Sequence, residues 1–391
     1  MTRTLPLEGI RVIEFSHMIM GPSCGLILAD LGAEVIKVEP PGAGDNTRRL
    51  AGSGAGFFVS FNRNKRSVSV DMKSAAGLAF AKTLAANADV VIENFRPGSL
   101  AKLGLDYAAL KSANPRLIYC SLKGFLAGPY EHRAALDEVV QMMGGLAYMT
   151  GPPGRPLRAG ASVNDIMGGM FGVIGILAAL QQRHATGLGM EIKSGLFENN
   201  VLLMATHMMQ YAITGKPAAP MPNRVSAWAV YDVFDTAGGG QVFVGVVTDT
   251  QWTAFCEAFD LAEFKTDPEC RTNPQRVSVR EKFMPRLRAL LAQKTRAEIV
   301  AICERIGLPY APIMRPEDLL DDPHVNHPGA MTEITLPDGR KTKVPALPIE
   351  LDGERPGLRR DVPRAGEHIA EVARELGLGE IDIAELMKAV D

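Results

Sequence analysis

The stretch GIRVIEFSHMIMGPSCGLILADLGAEVIKVEP, residues 9–40, decides the fold class. Two runs rich in β-branched residues, IRVIEF and EVIKVE, flank the helical run SCGLILADLG. A strand, a helix and a second strand in this order are typical of parallel strands joined by a crossover helix. Further candidate strands follow, SVSVDM, DVVIEN and RLIYCSL, with the helical run SAAGLAFAKTLAANA among them. Residues 9 to about 122 therefore predict an α/β fold with a Rossmann-like parallel sheet.

The loops after these strands predict a ligand pocket. His17 follows the first candidate strand, Pro40 the second and Asn94 the fourth. Ligands of open parallel sheets bind at the carboxyl ends of the strands, so we expect these loops to converge there.

A smaller α+β domain is predicted over residues 220–325. The helical run LFENNVLLMATHMMQYAI leads into TGKPAAPMPNRVS, whose prolines and glycine are typical of a linker. The next stretch, AWAVYDVFDTAGGGQVFVGVV, predicts a hairpin around three glycines. Helical runs follow near 250–260, 277–293 and 296–306, and the chain ends with the strand-like AMTEITL and TKVPALPIEL and two helices, the second over about 381–389.

Composition indicates a globular protein and argues against a nucleic-acid partner. The chain has 391 residues, 46% of them hydrophobic and 22% charged, which fits two or three globular domains. Its 42 basic and 44 acidic residues give a formal charge of −2, so a nucleic-acid partner is not expected.

Cysteine usage and hydropathy predict a cytoplasmic protein. The five cysteines are scattered without a C-x-x-C pair, as expected in a reducing compartment. Glu8 and Arg11 interrupt any N-terminal signal pattern, and the longest apolar run, IMGGMFGVIGILAAL, is shorter than the roughly 20 residues of a membrane span. We therefore expect a buried core helix there and no membrane partner.

One hydrolase motif is present. GPSCG, residues 21–25, matches the G-x-S-x-G turn that presents a nucleophilic serine, here Ser23. Only one strand precedes it, whereas that fold completes its oxyanion hole with an earlier loop, so a Gly-Pro turn at a helix start is the better interpretation. The dinucleotide, P-loop and zinc-protease motifs G-x-G-x-x-G, G-x-x-x-x-G-K-[ST] and H-E-x-x-H are absent from the sequence.

Two further clusters are ambiguous, and no metal site is predicted. Among seven histidines only His324 and His327 are close together, too few for a metal site. The basic run NRNKRS, residues 62–67, fits either a solvated turn or an anion site. Glycines 168, 169, 172 and 175 indicate close approach of a helix or a ligand.

Asp165 is the sharpest candidate residue. It opens the apolar run of AGASVNDIMGGMFGVIGILAAL, residues 159–180, in a helix predicted to reach about His184 and to stop at the glycines of ATGLGM. By position it fits an N-cap, but a carboxylate at a helix start is also a competent nucleophile.

The chain resembles the class III coenzyme A transferases, the family that includes formyl-CoA transferase and carnitine CoA-transferase. The resemblance covers nearly the whole length. It is carried by PLEGIRVIEFSHMIMGPSCGLILADLGAEVIKVEPPGAGD, FNRNKRSVSVDMKS, DVVIENFRPGSLAKLGL, GASVNDIMGGMFGVIGILAAL with TGLGMEI, and GLPYAPIMRPEDLLDDPHV.

This resemblance implies a fold and a mechanism. A large CoA-binding domain, 1–219 with 326–391, would carry the inserted small domain, and two subunits would interlock as a homodimer. Asp165 stands at the family's nucleophile and would attack the acyl-CoA thioester, giving an aspartyl anhydride and then an aspartyl-CoA thioester. Coenzyme A thioesters would be substrates, with no permanently bound cofactor and no metal.

The resemblance also implies CoA or substrate contacts. The matching positions are His17, Met18, Val70, Asp71, Met72, Lys73, Asn94, Phe95, Arg96 and Lys102, with Arg133 and Asp137 further along. Departures from formyl-CoA transferase occur at Pro40, Ile19 and Ala134, where that enzyme has arginine, glutamine and lysine, and no matching glycine-run loop is found because Gly238–Gly240 fall inside the hairpin.

These departures argue against oxalate and formate as the natural pair. They indicate a small dicarboxylate, with succinyl-CoA as a candidate donor and an arginine such as Arg48 or Arg224 on the distal charge. The rival activity within the fold is an α-methylacyl-CoA racemase, but Leu136 stands where that enzyme has its histidine. The sequence also leaves open a silent CoA-binding protein and a serine hydrolase that acts through Ser23.

Overall fold

The computed structural model describes residues 4–224 and 226–388 and contains the expected parallel sheet. Its strands are β1 (Arg11–Phe15), β2 (Glu34–Glu39), β3 (Lys65–Ser69), β4 (Val90–Glu93), β5 (Ile118–Lys123) and β6 (Glu191–Gly195). They lie in the order β3-β2-β1-β4-β5-β6, and all neighbouring strands are parallel. This is the strand order of Rossmann folds, so the predicted α/β class is confirmed.

Two strands differ from the sequence-based prediction. β6, with the sequence EIKSG, was not predicted, because its exposed charges and its glycine give no β-branched run. β3 begins at Lys65 rather than at the predicted Ser67. The prediction missed the first two residues because they are charged, yet both are buried. Their charges are balanced by carboxylates that sequence patterns do not reveal.

Eight helices connect and cover the strands as far as residue 214 of the described chain. They are α1 (Met20–Asp30), α2 (Phe57–Phe61), α3 (Ala75–Ala86), α4 (Tyr107–Ala113), α5 (Asp137–Met143), α6 (Leu146–Thr150), α7 (Val163–Thr186) and α8 (Leu196–Thr214). α7 ends as predicted, at Gly187 in the left-handed conformation with φ 71°.

Contacts divide the chain into two compact units, Met1–Pro222 with Pro323–Asp391 and Asn223–Asp322. The sequence predicts these borders at 220 and 325. The predicted ends at residues 1 and 391 lie outside the described residues, as does residue 389 at the end of the last predicted helix.

The smaller unit contains the predicted hairpin, β7 (Val230–Asp235) and β8 (Gln241–Val246), extended by the short β9 (Tyr310–Pro312) into an antiparallel sheet. Its helices are α9 (Asp249–Ala258), α10 (Ala262–Thr266), α11 (Asn273–Ser278), α12 (Arg280–Leu291) and α13 (Arg296–Arg305). The run predicted over 277–293 is thus interrupted at Val279. The α+β character is confirmed.

The C-terminal part completes the larger unit. The two predicted strands form an antiparallel pair, β10 (Met331–Thr335) and β11 (Lys341–Pro345), and the helices α14 (Ile369–Glu375) and α15 (Glu380–Met387) follow. Val372 of α14 and Ile383 of α15 lie in the core cluster that contains Ile13 of β1. The last helices therefore cover one face of the parallel sheet.

The opposite face of the sheet is covered by α1 and α7. Val12 of β1, Leu28 of α1 and Ile176 of α7 share a core cluster. Since Val12 and Ile13 are consecutive, they point to opposite faces, and both are fully buried, as expected for a doubly covered parallel strand. By length and composition α7 is apolar enough to cross a membrane, and core helices also pass this test.

Candidate active site

Loops at the carboxyl ends of β1 and β4 meet through Asn94. The backbone N–H of His17 donates to Asn94 Oδ1 over 3.0 Å, and Asn94 Nδ2 donates to the His17 carbonyl over 2.8 Å. β1 and β4 are the central pair at which the strand order reverses, where ligands of such sheets bind. The predicted convergence of these two loops is confirmed.

The β1 loop has an unusual backbone. Met18 has φ 64°, a left-handed conformation that costs energy in a non-glycine residue and is found disproportionately at functional sites. The His17 ring lies edge-on to Phe95, with centroids 5.5 Å apart. Two residues after Met18, α1 begins.

The remaining positions implied by the resemblance lie mostly at the same edge of the sheet. Val70–Lys73 directly follow β3, and the buried Val70 donates its N–H to the Glu39 carbonyl over 2.9 Å. The side chains of Lys73, Arg96 and Lys102 are exposed and have no hydrogen bond or ion pair within the described chain. Three cations are thus left open to solvent.

Arg133 is exposed too, in the segment between β5 and α5. Its guanidinium lies 4.2 Å from the Tyr130 ring centroid. Stacking on an aromatic ring orients the guanidinium while leaving its N–H donors available.

Asp165 is carried to this edge by the packing of α7 on α1. A Cβ at Gly169 would lie 2.2 Å from Ser23 Oγ and 2.8 Å from the Met20 carbonyl oxygen. The second turn of α7 therefore touches the first turn of α1 at backbone distance. Since α1 starts just after His17, Asp165, one turn before Gly169, belongs to the same region as the β1 loop.

The prediction that Asp165 is an N-cap is wrong. The N-cap position is Ser162, whose side chain makes no capping bond, and Asp165 is the third residue of α7. The capping oxygen comes from Asp137 of α5, whose Oδ2 accepts from Asn164 N over 2.8 Å and Asp165 N over 3.1 Å. Asp137 is buried. Because the Asp137 carboxylate caps α7, the Asp165 side chain is free for another role.

The Asp165 carboxylate receives no hydrogen bond from the described chain. The pKa of Asp165 is raised to about 7, first by burial and second by the neighbouring Asp137 charge. The Arg158 charge partly lowers this pKa. A large part of this carboxyl is therefore ionised near neutral pH. A carboxylate without a hydrogen-bond donor and with a raised pKa at a ligand crevice can supply a nucleophile.

Sequence reasoning missed the side chains that surround this pair of carboxylates. Gln141 donates from Nε2 to Asp137 Oδ1 and accepts from Ala159 N over 2.7 Å. Arg158 Nη2 lies 3.8 Å from Asp137 Oδ1. The available signal for Arg158 was its position in the Pro- and Gly-rich segment directly before the Asp165 helix.

The serine-hydrolase interpretation is not supported by the structure. Ser23 lies inside α1, is buried, and donates its hydroxyl to the Met20 carbonyl over 2.9 Å. Gly169 of α7 covers it. Its hydroxyl is therefore not presented to a substrate.

Both interpretations of the basic run NRNKRS are wrong. Arg63 pairs with Asp30 at 2.6 Å, Lys65 with Glu14 at 2.7 Å, and Arg66 with Glu375 at 2.9 Å. All three cations are buried in ion pairs, so the run is neither a solvated turn nor an anion site.

A cavity of about 310 Å³ adjoins the predicted CoA residues. Arg96, Lys123 and Phe125 are among its lining residues. Lys123 Nζ lies 2.5 Å from Glu93 Oε1 and donates to the Phe95 carbonyl over 3.0 Å, which ties the end of β5 to the loop after β4. Within the described ranges no three His, Cys, Asp or Glu side chains are grouped to hold a metal ion.

Comparison with known proteins places the chain. The model of CoA-transferase family III matches residues 7–369. The chain belongs to CoA-transferase family III. It is 36% identical to succinate–glutarate CoA-transferase of Agrobacterium fabrum, over 96% of each chain, and 34% identical to mouse succinyl-CoA:glutarate CoA-transferase, over 95% of this chain and 86% of the relative.

A solved structure agrees with this assignment. A CaiB/BaiF family protein from Brucella suis is 35% identical and superimposes with a TM-score of 0.85, over 96% of this chain and all of that chain. The molecule is therefore a class III CoA-transferase, as the resemblance implied. Leu136 of this CoA-transferase is exposed and offers no proton relay, which does not favour the racemase activity.

Proposed function

We propose that this CoA-transferase moves coenzyme A from succinyl-CoA to a small dicarboxylate of glutarate type, with Asp165 as nucleophile. The observation that carries the proposal is the Asp165 carboxylate, which has no hydrogen-bond donor in the described chain and a pKa raised to about 7. The activities named for the mouse and Agrobacterium relatives support the choice of substrates.

The proposed reaction exchanges one thioester for another. The Asp165 carboxylate attacks the acyl-CoA carbonyl, the C–S bond breaks, and a mixed anhydride and CoA thiolate result. The thiolate attacks Cγ of Asp165, which releases the donor acid and leaves an aspartyl-CoA thioester. The acceptor carboxylate then attacks Cγ, expelling the thiolate, which takes the acceptor acyl group from the second anhydride and restores Asp165.

The CoA cradle that we propose lies at the carboxyl ends of β1, β3 and β4. The open cations Lys73, Arg96 and Lys102, together with Arg133, suit the phosphate groups of CoA. The proposed contacts in full are His17, Met18, Val70, Asp71, Met72, Lys73, Asn94, Phe95, Arg96, Lys102 and Arg133. Asp137 would act at the acyl end, because its carboxylate accepts a hydrogen bond from the backbone N–H of Asp165.

We also propose that the protein works as an interlocked homodimer in the cytoplasm. Exposed apolar side chains on α5 to α8 support a partner subunit, since monomeric proteins rarely leave large apolar faces in water. All five cysteines are free thiols, which supports a reducing compartment.

The test of the nucleophile is a peptide mass map after incubation with succinyl-CoA and hydroxylamine. Hydroxylamine converts an activated aspartyl group into a hydroxamate, so we expect the modification on the peptide that contains Asp165. Asp165→Asn should show none and should lose CoA transfer. Labelling of a different residue, or transfer activity retained by Asp165→Asn, would contradict the proposal.

A further inference from the structure

Arg158 lies beside the two carboxylates in the segment between α6 and α7. Its Nε donates to the neighbouring Ala159 carbonyl over 3.1 Å, which fixes the orientation of the guanidinium. Its two Nη atoms lie 3.8 Å from Asp137 Oδ1 and 3.7 Å from Glu138 Oε2. These distances are those of loose ion pairs and lie beyond hydrogen bonds, so within the described chain neither Nη group has a hydrogen-bond acceptor.

The guanidinium is accessible, because the side chain is 38% exposed. A guanidinium with two open Nη groups is suited to a bidentate carboxylate. Arg48, which the sequence also suggests for binding the distal carboxylate of the substrate, already uses its N–H groups within the chain. It donates to both oxygens of Glu39 and to the Pro363 carbonyl, with distances of 2.6 to 2.9 Å.

Asp137 stands between Arg158 and Asp165. Its Oδ2 accepts from the Asp165 N–H, while its Oδ1 faces Arg158. Arg158 and the start of α7 therefore adjoin the same carboxyl group, one at each oxygen. Because both groups adjoin Asp137, a short acid with a carboxylate at each end is the class of substrate that would place one end at Asp165 and the other at the guanidinium.

We propose that Arg158 binds the unreactive carboxylate of the dicarboxylate substrate while the other carboxylate reacts at Asp165. This inference rests on the proposed function. Arg158 offsets part of the negative charge of Asp137 and Glu138, which would otherwise repel a dianionic acid more strongly. A monocarboxylate of equal length puts a methyl group against the guanidinium and gains nothing from it.

The test compares Arg158→Gln with Arg155→Gln in the dimeric enzyme as isolated. Arg155 is exposed in the same segment and serves as the matched control for loss of one positive charge. Succinyl-CoA is the donor, and glutarate and pentanoate are the acceptors. We expect Arg158→Gln to raise KM for glutarate about tenfold or more and to leave kcat/KM for pentanoate within about twofold.

Arg155→Gln should behave as the wild type, and Arg158→Lys should fall between, because an ammonium keeps the charge but not the bidentate geometry. An unchanged KM for glutarate in Arg158→Gln, or an equal loss with both acids, would overturn the role of Arg158. Equal thermal midpoints of the variants exclude misfolding. A wild-type enzyme that transfers CoA to neither acid would instead contradict the proposed function itself.

Discussion

Two aspartates meet at the start of α7, Asp137 from α5 and Asp165 from α7 itself, and their carboxyl groups are in different environments. Asp137 is buried and bonds the free N–H groups of Asn164 and Asp165, so its charge is used structurally. Asp165 has no such partner, and its pKa is raised to about 7 by burial and by the Asp137 charge. The Asp137 charge thus adds to burial in bringing the pKa of Asp165 into the neutral range.

Asp137→Asn tests this arrangement through the pH dependence of acylation. Asp165 must lose its proton to attack, so acylation by succinyl-CoA rises with pH through about 7. Removal of the Asp137 charge lowers the pKa of Asp165, so the midpoint should move to lower pH. The measurement is the rate of hydroxamate formation on Asp165 across the neutral range.

The asparagine keeps an oxygen that can accept from the α7 N–H groups, so the cap is retained. Asp137→Ala is the companion variant, because it removes both the charge and the cap, and it should also lower the thermal midpoint. A midpoint for Asp137→Asn that stays in place or moves to higher pH would show that the Asp137 charge does not set the pKa of Asp165.

Among the helices and strands, the contact between α1 and α7 fixes the position of Asp165. A Cβ at Gly169 would meet Ser23 Oγ, the Met20 carbonyl and the Cys24 N–H at 2.2, 2.8 and 3.0 Å. Two of these atoms are backbone and cannot move aside. Of the two explanations that the glycine spacing allowed, close approach of a helix is confirmed at this position.

Gly169→Ala should therefore destabilise the fold by about 3 kcal/mol or more and shift α7 away from α1. Gly160→Ala is the matched control, because a Cβ there has open space around it, and its effect should stay within about 0.5 kcal/mol. Chemical denaturation measures both free energies of unfolding. Equal stability of the two variants would mean that the helices adjust freely at this contact.

Sequence patterns predicted elements wherever burial coincided with apolar, β-branched composition. β1, β2 and β4 meet this condition, and so does the hairpin of β7 and β8. The patterns failed where polar residues are buried. The basic run at 62–67 was misread because its carboxylate partners Asp30 and Glu375 lie far away in sequence.

The site followed the same rule. Asp165, His17 and Asn94 were predicted as candidates because each follows a recognisable element or matches a family motif. The capping role of Asp137 and the placement of Arg158 depend on contacts between α5 and the start of α7, which no local pattern encodes. The N-cap assignment failed for that reason, since the side chain of Asp137, distant in sequence, supplies the capping oxygen.

In the whole molecule, helices α5 to α8 expose many large apolar side chains, which a monomeric protein rarely leaves in water. We call these side chains the apolar face of α5 to α8. Exposed side chains on these packed helices include Met142, Tyr148, Met170, Ile174, Leu202, Met208, Met209, Tyr211 and Ile213. Ile213 is 83% exposed. Leu202 and Met209 are seven residues apart on α8 and so share one side of the helix.

The double variant Leu202→Asp/Met209→Asp should therefore lose the homodimer, because two buried charges without partners cost several kcal/mol at an interface. Light scattering during size exclusion should give twice the chain mass for the wild type and the single mass, or aggregates, for the variant. Ile381→Asp is the control: it is 86% exposed on α15, outside this face, and should leave the mass unchanged. A double variant that keeps the wild-type mass would place the subunit contact elsewhere, and a monomeric wild type would contradict the homodimer itself.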